Sequence, residues 1–248
     1  MLEGNMSINK DYRRLSAYTD QLMRELSPDL FPKAIQKIQV QCFANDNRLC
    51  LNKSAHYDAL VLVDVQKEFC DITDRRGNTD TENTCKRIAS LVPQFRAAGL
   101  PVYSVYFSSD EIPLDEVDFH HYQYADTDIP IRKTRDSAFQ GDGDPFEDIL
   151  NENGHKRLLV MGFNATACVY RTVKDAQSLG FECTIISDCI SNDGKTYNDM
   201  TETLQNFARY KGVKFVPSGF ALDAISTSGA PTQKQRTSKK KRFVPRSI

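Results

Sequence analysis

Three residues of this 248-residue chain stand where short apolar runs give way to loops, and their types belong together chemically. Asp64 follows the run Ala59-Leu60-Val61-Leu62-Val63, Lys133 follows the extended piece Ile129-Pro130-Ile131, and Cys168 lies six residues after Gly162 at the head of a helical stretch. A thiol, a carboxylate and an ammonium make a working set for nucleophilic catalysis: a thiolate attacks, a carboxylate moves protons, and an ammonium biases both charges. At a helix start, free backbone N–H groups and the positive end of the helix dipole favour a thiolate, and a nearby lysine acts in the same direction. The same N–H groups suit an oxyanion, worth about 3 kcal/mol per donor. Taken singly, each residue reads blandly: Cys168 as a packing thiol, Asp64 as a capping or loop residue, Lys133 as a solvated charge. Their joint occurrence is what points to an active site.

The elements that must position them alternate. Strand-like runs with no polar alternation occur at Ala59–Val65, Pro101–Phe107, Ile129–Ile131, Arg157–Gly162, Cys183–Ser187 and Val213–Val216. Such runs are expected where both faces of a sheet are covered. Helix-period segments fall between them. One carries Ile88, Leu91, Val92 and Phe95 on a single stripe and is closed by Gly99. A second begins at Asp144-Pro145-Phe146-Glu147, with Asp as cap and Pro in the first turn, and stops at Gly154. A third runs from about Ala167 to Leu179 and a fourth from Met200 to Tyr210. The pattern predicts an α/β fold with three layers, a parallel sheet of these runs wrapped by helices. In such sheets ligands bind beyond the carboxyl ends of the strands. Asp64, Lys133 and Cys168 all lie there.

The organisation reads as a helical N-terminal extension (1–55), a catalytic domain (56–225) and a basic disordered tail (226–248). Leu15, Tyr18, Leu22 and Leu26 make a helical stripe in the extension, ended by Ser27-Pro28, and it reads first as a decoration without its own activity. The tail carries Lys234, Arg236, Lys239, Lys240, Lys241, Arg242 and Arg246 and no acid. The remaining 25 basic residues face 33 acidic ones, so an acidic body of net charge −8 hides under an overall −1. Lys239-Lys240-Lys241-Arg242 fits a polyanion-binding or nuclear-import cluster as well as it fits a solubilising tail. No apolar stretch approaches a membrane span, and the N-terminus lacks the apolar core of a secretory signal. Seven cysteines, an odd number without zinc spacing, fit reduced thiols in the cytoplasm.

The segments ALVLVDVQKEFCD (59–71), RKTRDSAF (132–139) and GFNATACVYRTVKDAQSLGF (162–181) together resemble the isochorismatase-like cysteine hydrolase superfamily. The resemblance covers residues 56–225 and implies a three-layer Rossmann-like fold with a six-stranded parallel sheet, and an Asp-Lys-Cys triad on Asp64, Lys133 and Cys168. It also implies an oxyanion hole from the backbone N–H groups of Asn164 and Cys168, and a cis peptide at Phe163–Asn164. Phe69 falls at a pocket-wall position, and Phe163 joins it as a pocket residue. A homo-oligomer acting on a small molecule is expected by resemblance, with no organic cofactor.

The departures from the pattern narrow the chemistry. Nicotinamidase-like relatives carry a metal-binding D-x-H after the second strand, and here that stretch reads Asp110-Glu111-Ile112. His120 and His121 come eight or nine residues later and read as loop residues, so no metal is expected. Ala165 and Thr166 stand where many relatives carry Thr or Ser and then Asp or His. Arg132, Arg135 and Arg171 read first as solvated side chains and second as steering groups for an anionic substrate. The intact nucleophile favours cleavage of a C–N bond in a small amide or ureide through a thioester. Two alternatives stand beside this: an isochorismatase-type enol-ether hydrolase, and a catalytically weak binding or regulatory protein working through the N-terminal extension or the tail.

Overall fold

The computed structural model describes residues 56–192, 213–216 and 218–228. The N-terminal stripe, the helix expected over 200–210 and the chain beyond 228 lie outside the described residues. Six strands, β1 (Ala59–Val63), β2 (Val102–Phe107), β3 (Ile129–Lys133), β4 (Arg157–Gly162), β5 (Glu182–Ile190) and β6 (Lys214–Val216), form one sheet ordered β3-β2-β1-β4-β5-β6. Every neighbouring pair is parallel. The chain winds outward from β1 to β3, then returns to the other side of β1 with β4. The order reverses between β1 and β4, and it is beyond the carboxyl ends of the strands at such a point that open parallel sheets bind ligands in a crevice.

The unbroken apolar runs have a simple cause. In β1, Ala59, Val61 and Val63 enter one core, while Leu60, Leu62 and the following Val65 enter the other. Period-two alternation with both faces covered leaves no room for a polar side chain. The first core packs under α3 (Phe146–Asn153) and α4 (Tyr170–Ser178), contributing Phe146, Leu150, Val173 and Ala176. The second packs under α2 (Thr79–Ala97), whose stripe of Ile88, Leu91, Val92 and Phe95 is buried as the spacing predicts, and under α5 (Ser218–Ser228). A short helix, α1 (Lys67–Cys70), follows Asp64 directly. Among the described residues, no helix is long and apolar enough to cross a membrane.

Three local readings are corrected. Asp144 does not cap α3, which starts at Phe146 behind Pro145 with no side-chain cap. Its carboxylate instead accepts from the Arg132 N–H at 2.6 Å, while its own N–H donates to the Arg132 carbonyl at 2.8 Å. That exchange braces the edge strand β3 one residue before Lys133, where the sheet supplies no further strand to pair with. The helix expected from Ala167 is preceded by a π turn over Ala165–Val169, closed by the Val169 N–H on the Asn164 carbonyl at 3.0 Å. Finally, α5 extends to Ser228, past the point at which the sequence reading starts the tail.

Candidate active site

Strand ends deliver Asp64 and Lys133, and the π turn after β4 delivers Cys168. Asp64 follows β1 with φ +53°, and its N–H donates to the Val105 carbonyl of β2 at 2.9 Å. Lys133 is the last residue of β3, two strands away, and its side chain reaches across β2 to the crevice. There Nζ stands 2.9 Å from Asp64 Oδ2, 3.4 Å from Cys168 Sγ and 3.1 Å from the Arg135 carbonyl. The ring of Phe107 flanks the ammonium at 5.0 Å from its centroid. Asp64 and Lys133 are 0% exposed, while Cys168 keeps 7%. The sulfur is the member of the three with an opening to solvent.

Burial sets the protonation. Desolvation raises the pKa of Asp64 despite the neighbouring ammonium. Burial works to lower the Lys133 pKa, but the neighbouring Asp64 carboxylate and the contact with Cys168 outweigh it, so the ammonium is held above the usual lysine range. The Cys168 thiol is pushed up to about 12, first by burial and then by the Asp64 charge, with Lys133 pulling weakly the other way. The expected bias toward a resting thiolate is therefore overturned. A buried ammonium and one buried carboxylate already balance, and a second anion beside them is unfavourable. The nucleophile rests as a thiol and needs a base at the moment of attack.

The loop after β4 is shaped by Gly162, whose φ is +129°. A Cβ there would meet the Val63 carbonyl oxygen at 2.0 Å, so only glycine lets β4 approach β1 this closely. The Phe163 N–H then donates to the same carbonyl at 2.8 Å, and the Phe163–Asn164 peptide is cis, as the resemblance implies. Loop amides are held in place: Ala165 donates to the Ser191 carbonyl at 3.0 Å and Thr166 to Asn192 Oδ1 at 2.8 Å. Asn192 is tied in turn to Asn78, whose side chain donates to its carbonyl at 3.0 Å while capping α2. Phe69 and Phe163 are buried in the core under α2, and Cys168 belongs to the core on the other face.

Some positioning residues escape a reading based on reactive groups alone. Gln66 clamps Phe107 twice, accepting its N–H at 2.7 Å and donating to its carbonyl at 3.1 Å, and so fixes the ring that flanks Lys133. Thr172 accepts the Ala138 N–H at 3.1 Å, and Asp175 accepts from Gln140 at 2.7 Å. These two bonds staple the segment carrying Cys168 to the segment carrying Lys133. The sequence signal was there, since Thr172 and Asp175 belong to the same motif as the cysteine. Arg132 does not face outward as a solvated cation; its guanidinium donates to the Asp142 carbonyl at 2.9 Å. Arg135 and Arg171 are exposed.

The chain and its fold have counterparts among known proteins. A family model described as "Isochorismatase domain" matches residues 58–210. The uncharacterized isochorismatase family protein YrdC of Bacillus subtilis (strain 168) is 29% identical over 148 residues, 55% of this chain and 74% of that protein. Among solved structures, an isochorismatase family protein from Desulfovibrio vulgaris superposes with a TM-score of 0.59 at 23% identity, covering 69% of this chain and 100% of the other. N-carbamoylsarcosine amidase from Thermoplasma acidophilum gives 0.54 at 23% identity, covering 65% and 97%. With more than half of its length matched by the family model, this chain is a member of the isochorismatase family.

Proposed function

We propose that this chain hydrolyses a C–N bond in a small amide or ureide, with Cys168 as nucleophile, Asp64 as general acid and base, and Lys133 as the charge that couples them. The observation that carries the reading is the single ammonium of Lys133, 2.9 Å from the carboxylate and 3.4 Å from the sulfur, sealed in the crevice where the strand order reverses. Family membership and the likeness in fold to an amidase support it.

The raised pKa values order the steps. Asp64, made more basic by burial, removes the thiol proton as the sulfur attacks the carbonyl carbon. The resulting oxyanion is held by the backbone N–H groups of Asn164 and Cys168. Collapse expels the amine, which takes the proton back from Asp64 and leaves a thioester on Cys168. Water, deprotonated by Asp64, then attacks the thioester, and the acid leaves as the thiol is restored. Lys133 stays protonated throughout, offsetting the negative charge that moves between Asp64 and Cys168. The chemistry uses no organic cofactor.

Intact-mass measurement after brief exposure to a panel of amides and ureides tests this. The expected result is an acyl adduct on the wild type, absent from Cys168→Ala, with ammonia or an amine released. Release of pyruvate from an enol ether with no adduct would replace this reading by the isochorismatase one.

A further inference from the structure

Outside the crevice, one cluster among the described residues gathers three side chains able to ligate a metal, Glu82, His120 and His121, with their donor atoms all within 4.8 Å of one another. We propose that Glu82, His120 and His121 bind a divalent transition-metal ion, zinc by preference, and that the ion bolts the loop over Val117–Tyr122 to helix α2.

The two histidines come from the aromatic loop after β2, and Glu82 from the first turn of α2. His120 Nε2 lies 2.7 Å from Glu82 Oε2 and His121 Nε2 lies 2.7 Å from Oε1. A carboxylate only accepts, so both imidazoles direct an Nε2–H at it in the metal-free form. Both thereby face one carboxylate, each on its own oxygen, with ring centroids 4.1 Å apart. Zinc bound at about 2.0–2.2 Å from each donor needs the donors about 3.3 Å apart. Each histidine nitrogen therefore backs off its carboxylate oxygen from 2.7 Å by about 0.6 Å, and donors now up to 4.8 Å apart draw together. The remaining ring proton then moves to Nδ1, and Nε2 presents its lone pair.

The loop backbone is already fixed for this. The His120 N–H donates to the Val65 carbonyl at 3.1 Å, its own carbonyl accepts from Cys85 Sγ at 2.9 Å, and the Lys67 N–H donates to the Asp118 carbonyl at 2.9 Å. Preorganisation of this kind lowers the ordering cost of binding. Access is provided through His121, 36% exposed in its side chain. The donor set, two imidazoles and one carboxylate, selects borderline ions over calcium or magnesium, which take oxygen ligands. Three protein ligands leave a fourth position for water.

One competitor is present. Lys86 Nζ sits 2.9 Å from Glu82 Oε1, with its side chain 56% exposed. It neutralises Glu82 in the metal-free form and can swing into solvent when a doubly charged ion arrives. This makes the prediction two-sided: removing the ligands weakens binding, and removing the competitor strengthens it.

The test titrates the metal-free full chain with cobalt(II) or zinc(II), followed by visible absorption and calorimetry. The expected result is one ion per chain in the wild type and in Cys168→Ser, and a melting temperature raised by metal. His120→Gln/His121→Gln should abolish binding, and Glu82→Gln should weaken it by at least about 10-fold, the lower end of what even outer-shell partners cost. Lys86→Met should bind more tightly than wild type, an outcome that misfolding does not imitate. Failure of the wild type to bind, or binding that survives loss of both histidines, overturns the proposal. The hydrolase reading is untouched either way, because no arm measures turnover.

Discussion

Two clusters in this molecule hold a carboxylate against cationic or polar partners at similar distances, and their acid groups move in opposite directions. At the crevice, Asp64 has Lys133 at 2.9 Å, yet burial raises its pKa. On α2, Glu82 has two histidines at 2.7 Å and Lys86 at 2.9 Å, and its pKa falls to about 2, burial working against its partners and losing. The difference lies in solvent. Asp64 has lost water on every side and gained one full charge, whereas Glu82 keeps part of its hydration through the open flank at His121 and Lys86. A carboxylate of the first kind can exchange a proton during a reaction; one of the second kind is a fixed anion, suited to holding something positive. The proposed roles, a general base and a metal ligand, follow that division.

The largest effect is expected where the crevice loses its proton carriers. Asp64→Asn and Cys168→Ala should each lower kcat by about 10^4-fold or more, and the double variant should be little worse than either alone, since the groups act as a unit. The pH profile sharpens the same contrast. Below the raised Asp64 pKa the base is protonated, so kcat/KM should fall on an acid limb lying above the usual carboxylate range. No limb from Cys168 is expected before about pH 12, because the thiol is the reactant form and burial holds it there.

Lys133→Ala should come next, costing about 3–5 kcal/mol of stability in urea unfolding by leaving Asp64 charged and unpaired in the core. Asp64→Asn/Lys133→Met should recover much of that loss without recovering turnover. Gly162→Ala follows at about 3 kcal/mol, the upper range for forced packing, because its Cβ has only the backbone of Val63 to displace.

These residues differ in how visible they were before folding. Asp64 and the β1 run were legible because a strand covered on both faces admits no polar residue until it ends. The same logic gave the sheet and the α2 stripe. The convergence of Lys133 with Asp64 was legible only as an expectation, since nothing local says that an edge-strand lysine reaches across β2. The thiolate bias was misread for a related reason: a helix start can be seen in sequence, but the desolvation that outweighs it depends on what packs around the sulfur. Helix α5 was missed because Ser218-Gly219 and the Ser/Thr-rich end argue against a helix, and its packing of Ala221, Ala224 and Ile225 on the sheet decides otherwise. Glu82 is separated from its histidines by 38 and 39 residues, and nothing local in the sequence ties it to them.

The smallest effect is expected at the cluster on α2, and it tests the comparison from its other side. Glu82 has a folded pKa of about 2 against an ordinary 4.5, so its contribution to stability is fully present above pH 4.5 and is lost as pH falls toward 2. Glu82→Gln lacks a group that titrates there. The melting-temperature gap between wild type and Glu82→Gln, measured without metal, should therefore shrink between about pH 6 and about pH 2.5. Its size should stay near or below about 1 kcal/mol, because half-open ion pairs are screened by water. A gap that grows on acidification would mean that burial raises the pKa of Glu82 as it does that of Asp64, and the contrast between a proton-moving and an ion-holding carboxylate would be gone.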